Sequence, residues 1–183
     1  KDYTTQGTKL LRPGNLFADG SVRWSDGNTR CMPNSWAEEY PDFIVGSNEL
    51  VMNLTAQPLA DEFLGRICMT GDGERCLLNQ RIARITPVGV DTRFVMWVMK
   101  AWYFRRFVDE LNTGSLIQHM FTSQLADFVM PIPPLDEQVE IVRQIGIKMT
   151  AVEETERATD QSLADVTRLR QAVLKRAFEG RLV

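Results

Sequence analysis

The 183-residue sequence is poor in the residues that build metal, redox and nucleophilic sites: it has one histidine, His119, and three cysteines, Cys31, Cys68 and Cys76, without CxxC spacing. A disulfide framework needs paired cysteines and a zinc site needs clustered ligands, so neither is signalled. The free thiols fit a reducing, cytoplasmic compartment. No apolar run approaches the ~20 residues of a membrane span, and no membrane partner is expected. Lys1, Asp2 and the polar stretch from Thr4 to Thr8 are unlike a secretory leader, and no initiating Met precedes them, so the start of the first domain is expected to be missing. Gly71-x-Gly73 lacks the third glycine and following helix of a dinucleotide fingerprint, and no Gly-Lys-Thr or Gly-Lys-Ser follows it. Around His119 there is no Ser-His-Asp order. No catalytic, cofactor-binding or metal-binding residue is therefore nominated.

An excess of positive charge is also missing. The formal net charge is −3, which excludes a uniformly basic nucleic-acid binder, because neutralising phosphates with Lys and Arg is the main sequence-independent source of affinity. Splitting the chain after Pro134 leaves 13 basic and 15 acidic residues before it and 8 and 9 after it. Any basic surface would have to be local. What is present, 44% hydrophobic and 25% charged residues, is ordinary for a chain that buries a core.

Proline stops at Pro134, and only Gly146 and Gly180 follow it. Before that boundary, turn signals at Arg12-Pro13-Gly14-Asn15, Asp19-Gly20, Asp26-Gly27-Asn28 and Gly71-Asp72-Gly73 separate short apolar segments: Phe43 to Val45, Glu49 to Leu54, Gly65 to Met69 and Leu77 to Ile85. These read as strands and hairpins. Asp91 to Leu111 reads as a helix with Phe94, Val95, Val98, Ala101, Trp102, Arg105 and Val108 at three- and four-residue steps, and a shorter helix is expected from about Ser115 to Val129. Residues 1–134 therefore read as a mixed α/β globular domain, and the fold class as α+β with a long helix behind it.

From Leu135 the apolar residues take a seven-residue rhythm, Leu135, Val142, Met149 and Leu163 at one position and Ile145, Val152, Val166 and Val173 at another, which weakens where Glu156 and Thr159 put polar residues in the seam. That is a coiled-coil seam. A helix from Asp136 to about Glu179 would be roughly 65 Å long at 1.5 Å per residue. Such a helix cannot bury its own stripe, so residues 135–183 imply a partner helix in the same assembly or a second chain. A hairpin of two shorter helices is the alternative, though no Gly or Pro lies between Gly146 and Gly180 to make its turn.

Two stretches carry a family resemblance: Met130-Pro131-Ile132-Pro133-Pro134-Leu135-Asp136-Glu137-Gln138 running into Val139-Glu140-Ile141-Val142, and Leu169-Arg170-Gln171-Ala172-Val173-Leu174-Lys175-Arg176-Ala177-Phe178-Glu179-Gly180-Arg181-Leu182-Val183. The first is a joint from extended chain to helix, with Asp136 placed for the helix dipole; the second closes the helix at Gly180. Together they resemble the conserved parts of type I restriction-modification specificity subunits. Weaker similarity lies at Leu10 to Leu16, Asp19-Gly20, Leu78 to Arg81 and Thr113-Gly114-Ser115. The resemblance implies one DNA target-recognition domain, plus the spacer helix that sets spacing and docks modification (methyltransferase) subunits. It implies double-stranded DNA as ligand, one half of a split target as the sequence read, and a role in bacterial defence. The chain itself would be non-catalytic, with S-adenosylmethionine and ATP on partner subunits. A second recognition half or a homodimer would supply the other helix. A protein–protein adaptor and the recognition domain of a fused restriction-methylation enzyme are the other readings.

Base readout needs Arg, Asn, Gln, Ser or Thr at accessible positions. The candidates are Arg12, Asn15, Arg23 and Trp24 around the first two turns, Arg75 and Arg81 around the Gly71 loop, and Thr113, Ser115, Gln118 and His119 at the expected start of the second helix, where free N–H groups would hold a phosphate. Lys100, Arg105 and Arg106 are a further candidate clamp. Trp24, Trp36, Trp97 and Trp102 could stack on bases, but core packing suits Trp97 and Trp102 better.

Overall fold

The computed structural model describes residues 3–56, 62–111 and 118–181. Two compact units result, Lys1–Gln138 and Val139–Val183. The fold is α+β with a long C-terminal helix, as the sequence leads one to expect.

In the first unit, β1 (Thr8–Leu11), β2 (Cys31–Met32), β3 (Ile44–Val45) and β7 (Cys76–Leu78) form a four-stranded sheet in the order β2-β1-β7-β3. Strands β1 and β7 are parallel, pairing Lys9 with Cys76 and Leu11 with Leu78. A second sheet, ordered β6-β4-β8, holds β4 (Leu50–Asn53), β6 (Ile67–Met69) and β8 (Ile82–Ile85). A two-stranded ribbon pairs β5 (Thr55–Ala56) with β9 (Gln118–His119).

Strand β4 lies at the centre of the packing. All four of its residues are buried, because successive side chains leave opposite faces of a strand and here both faces are covered. Leu50 and Met52 join Leu64, Ile67, Phe104 and Val108 in one apolar cluster; Val51 joins Leu11, Val45, Cys68 and Cys76 in another. Asn53, which would be costly to bury alone, donates its amide to the carbonyls of Thr55 at 2.6 Å and Phe63 at 2.9 Å.

Three elements depart from the sequence reading. The strand expected from Leu77 to Ile85 is two strands, β7 and β8, because Asn79 Oδ1 accepts a hydrogen bond from the Arg81 amide and turns the chain. The helix expected from Asp91 to Leu111 is α2 (Thr92–Lys100) and α3 (Trp102–Glu110), divided at Ala101, whose backbone is extended with ψ 154°. That break resets the buried face: after Phe94, Val95 and Val98 it is Phe104 and Val108 that enter the core, and Trp102, expected inside, is 74% exposed. The helix expected from about Ser115 begins outside the described residues, and its remainder is strand β9 followed by a one-turn helix, α4 (Thr122–Leu125). One short helix, α1 (Asn34–Glu39), follows β2.

The long helix, α5 (Leu135–Phe178), is continuous over 44 residues, so the hairpin alternative is not adopted. Asp136 and Glu137 occupy its first turn and Lys175 and Arg176 its last, the charge order the helix dipole favours. It ends in a left-handed Gly180, φ +69°, with the Arg181 amide donating to the Arg176 carbonyl. Along it, Leu163 and Val166 are more than 60% exposed. No helix is long and apolar enough to cross a membrane among the described residues.

Candidate nucleic-acid interface

The parallel pairing of β1 with β7 brings two of the nominated turns together. Arg12 leaves β1 just where Asn79 leaves β7, and the Asn79 amide donates to the Leu11 carbonyl at 3.1 Å. Arg81 follows on the turn that Asn79 makes. At the other end of the pair, Trp24 Nε1 donates to Glu74 Oε2 at 2.8 Å, and Lys9 reaches Glu74 Oε1 at 3.1 Å while lying 4.8 Å from the centre of the Trp24 ring. Trp24 is thus fixed by a carboxylate and a cation, one face of its ring already covered. Lys9 was not nominated from the sequence.

The third group is joined through backbone. Leu54 donates to the Arg81 carbonyl at 2.8 Å and accepts from the Met120 amide at 3.0 Å, and Thr55 pairs with His119 across β5 and β9. Arg81 and His119, both exposed, therefore flank the same short stretch of chain.

The nominated side chains differ in what they have left to offer. Arg75 and Arg81 are exposed, and among the described residues neither guanidinium has an ion-pair partner. Arg12 is half-buried, 5.9 Å from the Tyr3 ring. Arg23 is committed: it pairs with Asp19, donates to Ser21 Oγ at 2.8 Å and lies 4.8 Å from the Phe17 ring centre. Asn15 is fully buried, accepting from the Arg12 amide and donating to the Arg23 carbonyl, so it ties the first turn together and cannot reach a base as placed. Gln118 is also buried, at 5% exposure, and among the described residues its Oε1 has no hydrogen-bond partner. The outward-facing role expected of its side chain does not suit this placement. Thr113 and Ser115 lie outside the described residues.

The proposed clamp of Lys100, Arg105 and Arg106 is largely spent on the fold. Lys100 Nζ donates to the carbonyls of Asp19 at 2.7 Å and Ala18 at 3.3 Å; Arg105 donates to the Leu64 carbonyl at 2.7 Å and pairs with Asp109; Arg106 pairs with Glu110. Lys100 thereby holds the Asp19 turn. Burial opposes ionisation of Asp19, but hydrogen bonds from the Ser21 side chain and amide, with the charges of Arg23 and Lys100, outweigh it and keep the carboxyl below its usual value. Burial depresses the Lys100 ammonium, against the pull of Asp19. Ser21, Arg23 and Lys100 together tie the turn down.

The accessible, uncommitted set is therefore Arg75, Arg81 and His119, with Arg12 partly accessible. Their chemistry suits phosphate oxygens and base-edge acceptors: guanidinium donors in a planar fork, and an imidazole with one donor and one acceptor when neutral.

Comparison with known proteins finds relatives of one kind. No family model matches the chain. Among curated proteins it is 29% identical over 93 residues to the specificity subunit of the type I restriction enzyme EcoDI from Escherichia coli, covering 51% of this chain and 21% of that protein. It is 23% identical over 146 residues to the MjaVIII specificity subunit from Methanocaldococcus jannaschii, covering 79% and 33%, and 31% identical over 112 residues to the EcoBI specificity subunit from Escherichia coli, covering 60% and 23%. The chain spans no more than 33% of the length of these relatives. Among solved structures, one on complex assembly and conformational transition of the type I restriction-modification system superposes with a TM-score of 0.72 at 19% identity, covering 99% of this chain and 41% of the other. The HsdS subunit from Thermoanaerobacter tengcongensis gives 0.62 at 18%, covering 99% and 40%. The fold is shared along nearly the whole of this chain.

Proposed function

We infer that this chain, a relative of type I restriction enzyme specificity subunits, reads one half of a split DNA target and directs partner subunits to it. The observation that carries the reading is the pairing of fold and site. A fold shared with those relatives presents Arg81 on the turn that Asn79 makes, His119 on strand β9 and Arg75 in the loop after Gly73, all exposed and without an ion-pair partner among the described residues. Rigid placement matters because base readout depends on donor geometry, and a pinned turn loses little entropy on binding. A net charge of −3 is compatible with this when the cations are gathered locally and other subunits add phosphate contacts.

The chain supplies an address, and chemistry falls to its partners. Methyl transfer from S-adenosylmethionine and ATP-driven cleavage belong, in this reading, to modification and restriction subunits of a cytoplasmic assembly. The apolar seam of α5, from Leu135 through Val142, Ile145, Met149, Val152, Leu163 and Val166 to Val173, is the surface for a second recognition half or a second copy. Burying it would remove the most extended apolar stripe on the helix from water.

The direct test is the salt dependence of DNA binding by the assembled complex carrying Arg75→Ala or Arg81→Ala. Loss of one phosphate contact should lower the slope of log K against log salt by about 0.9, and loss of a base contact should relax the target at one position at a cost of about 1–3 kcal/mol. Two variants that bind like the wild type at every salt concentration would remove these residues from the interface.

A further inference from the structure

We propose that the outer surface of α1 and the turn that follows it docks a protein partner presenting Lys or Arg side chains among apolar ones. Three large rings are exposed there in sequence: Trp36 at 36%, Tyr40 at 41% and Phe43 at 54%. They touch edge to face, with ring centroids 5.8 Å apart for Trp36 and Tyr40 and 6.4 Å for Tyr40 and Phe43. Only Ala37 of this helix is buried. The rings therefore add little to the core and instead form a continuous aromatic surface, the residue types that dominate the centres of protein–protein contacts. Exposed surfaces of this kind on a folded domain mark interaction sites.

Charge decides what can occupy it. Glu38, Glu39 and Asp42 are interleaved with the rings and all are exposed. Between Arg30 and Arg66 the sequence has six Asp and Glu and no Lys or Arg. Among the described residues Arg84 reaches the segment from elsewhere, at its edge, its Nη1 donating to the Ile44 carbonyl at 2.7 Å. A phosphate backbone would be repelled, so this surface is not an extension of the DNA site. A cationic side chain gains twice, from the carboxylates and from the faces of Trp36, Tyr40 and Phe43, which attract cations through their quadrupoles. The carboxylate of Glu39 already accepts from Tyr40 Oη at 2.8 Å, which keeps acid and ring side by side. Apolar neighbours on the partner would cover the rings.

The identity of that partner rests on the assembly reading above: a modification subunit of the same complex. The experiment uses the full-length chain with its own modification subunits. The affinity of assembly is measured by calorimetry at low and moderate salt for the wild type, for Trp36→Ala with Phe43→Ala, and for Glu38→Lys with Asp42→Lys. The methylated sequence is mapped for each. Both double variants should weaken assembly by roughly tenfold or more, leave the methylated sequence unchanged, and, for the charge reversal, remove most of the weakening that salt causes in the wild type. The charge pair is wholly on the surface, so it tests the proposal even where the aromatic pair lowers stability. Assembly at wild-type affinity in the charge variant overturns the proposal, as does a changed methylation sequence, which would make the surface DNA-facing. A failure of the recognition reading is distinguishable: methylation would ignore the identity of the whole domain while assembly still responded to these substitutions.

Discussion

Asp91 and Gln138 stand 47 positions apart and share a hydrogen bond, the Asp91 amide donating to Gln138 Oε1 at 2.8 Å. Gln138 Nε2 donates to the Pro133 carbonyl at 2.7 Å. Asp91 in turn accepts from the Phe94 amide and caps α2. One buried glutamine thus fastens the first turn of α5 and the proline segment to the start of α2, and it explains why the first compact unit runs to Gln138 rather than ending at Pro134.

Replacing Gln138 with Leu should therefore cost more than a surface change. It leaves the half-buried Asp91 amide and Pro133 carbonyl without the partner they share, and the expected loss is about 1–3 kcal/mol for a stranded polar group. Urea unfolding of the intact chain measures it. A midpoint equal to that of the wild type would mean that water or another group satisfies both atoms.

Gly65 offers a second test of the packing. Its φ is +71°, and an added Cβ would lie 2.9 Å from Val108 Cγ2 and 3.4 Å from Phe104 Cε1. Gly65→Ala meets both a backbone penalty and a crowded α3, so a loss of about 1–3 kcal/mol is expected. The melting temperature should fall, and an unchanged value would show that α3 shifts freely.

The cysteines separate by environment. Burial raises the thiols of Cys68 and Cys76, each to about 12, from an ordinary value near 9. Alkylation of the native chain at pH 8 should therefore modify neither, and unfolding should release both. The unfolded state loses these protons near pH 9 while the folded state keeps them until about pH 12, so stability should decline as pH rises above about 9. Rapid modification of Cys68 or Cys76 in the folded chain would contradict their burial.

The parts of this molecule that depend on period or on a single local residue were legible in the sequence. The heptads from Leu135, the proline stop and Gly180 each act locally, and α5 follows them. Asn79 was legible too, since an Asn ahead of Arg81 is an Asx-turn signal, but the alternation from Asn79 to Ile85 outweighed it. Ala101 was not. Alanine is the best helix former, and only the demand that Phe104 and Val108 pack on Leu64 and Gly65 breaks the helix there. Strand β9 depends on pairing with Thr55 and Ala56, more than sixty positions away, which no local pattern encodes. The site divided in the same way. Residue type and turn position nominated Arg75, Arg81 and His119, whereas the structural duties of Asn15, Arg23 and Lys100 arise from partners distant in sequence or around the turn.

In the proposed function, residues 1–134 choose a DNA sequence. The measurement is a map of methylated adenines on random-sequence DNA, made with the full-length chain and its modification subunits, before and after those residues are exchanged for the corresponding domain of a relative. One half of a split target should change with the exchange and the other half should stay. Methylation at the same sites in both would show that the domain is an adaptor and not a reader.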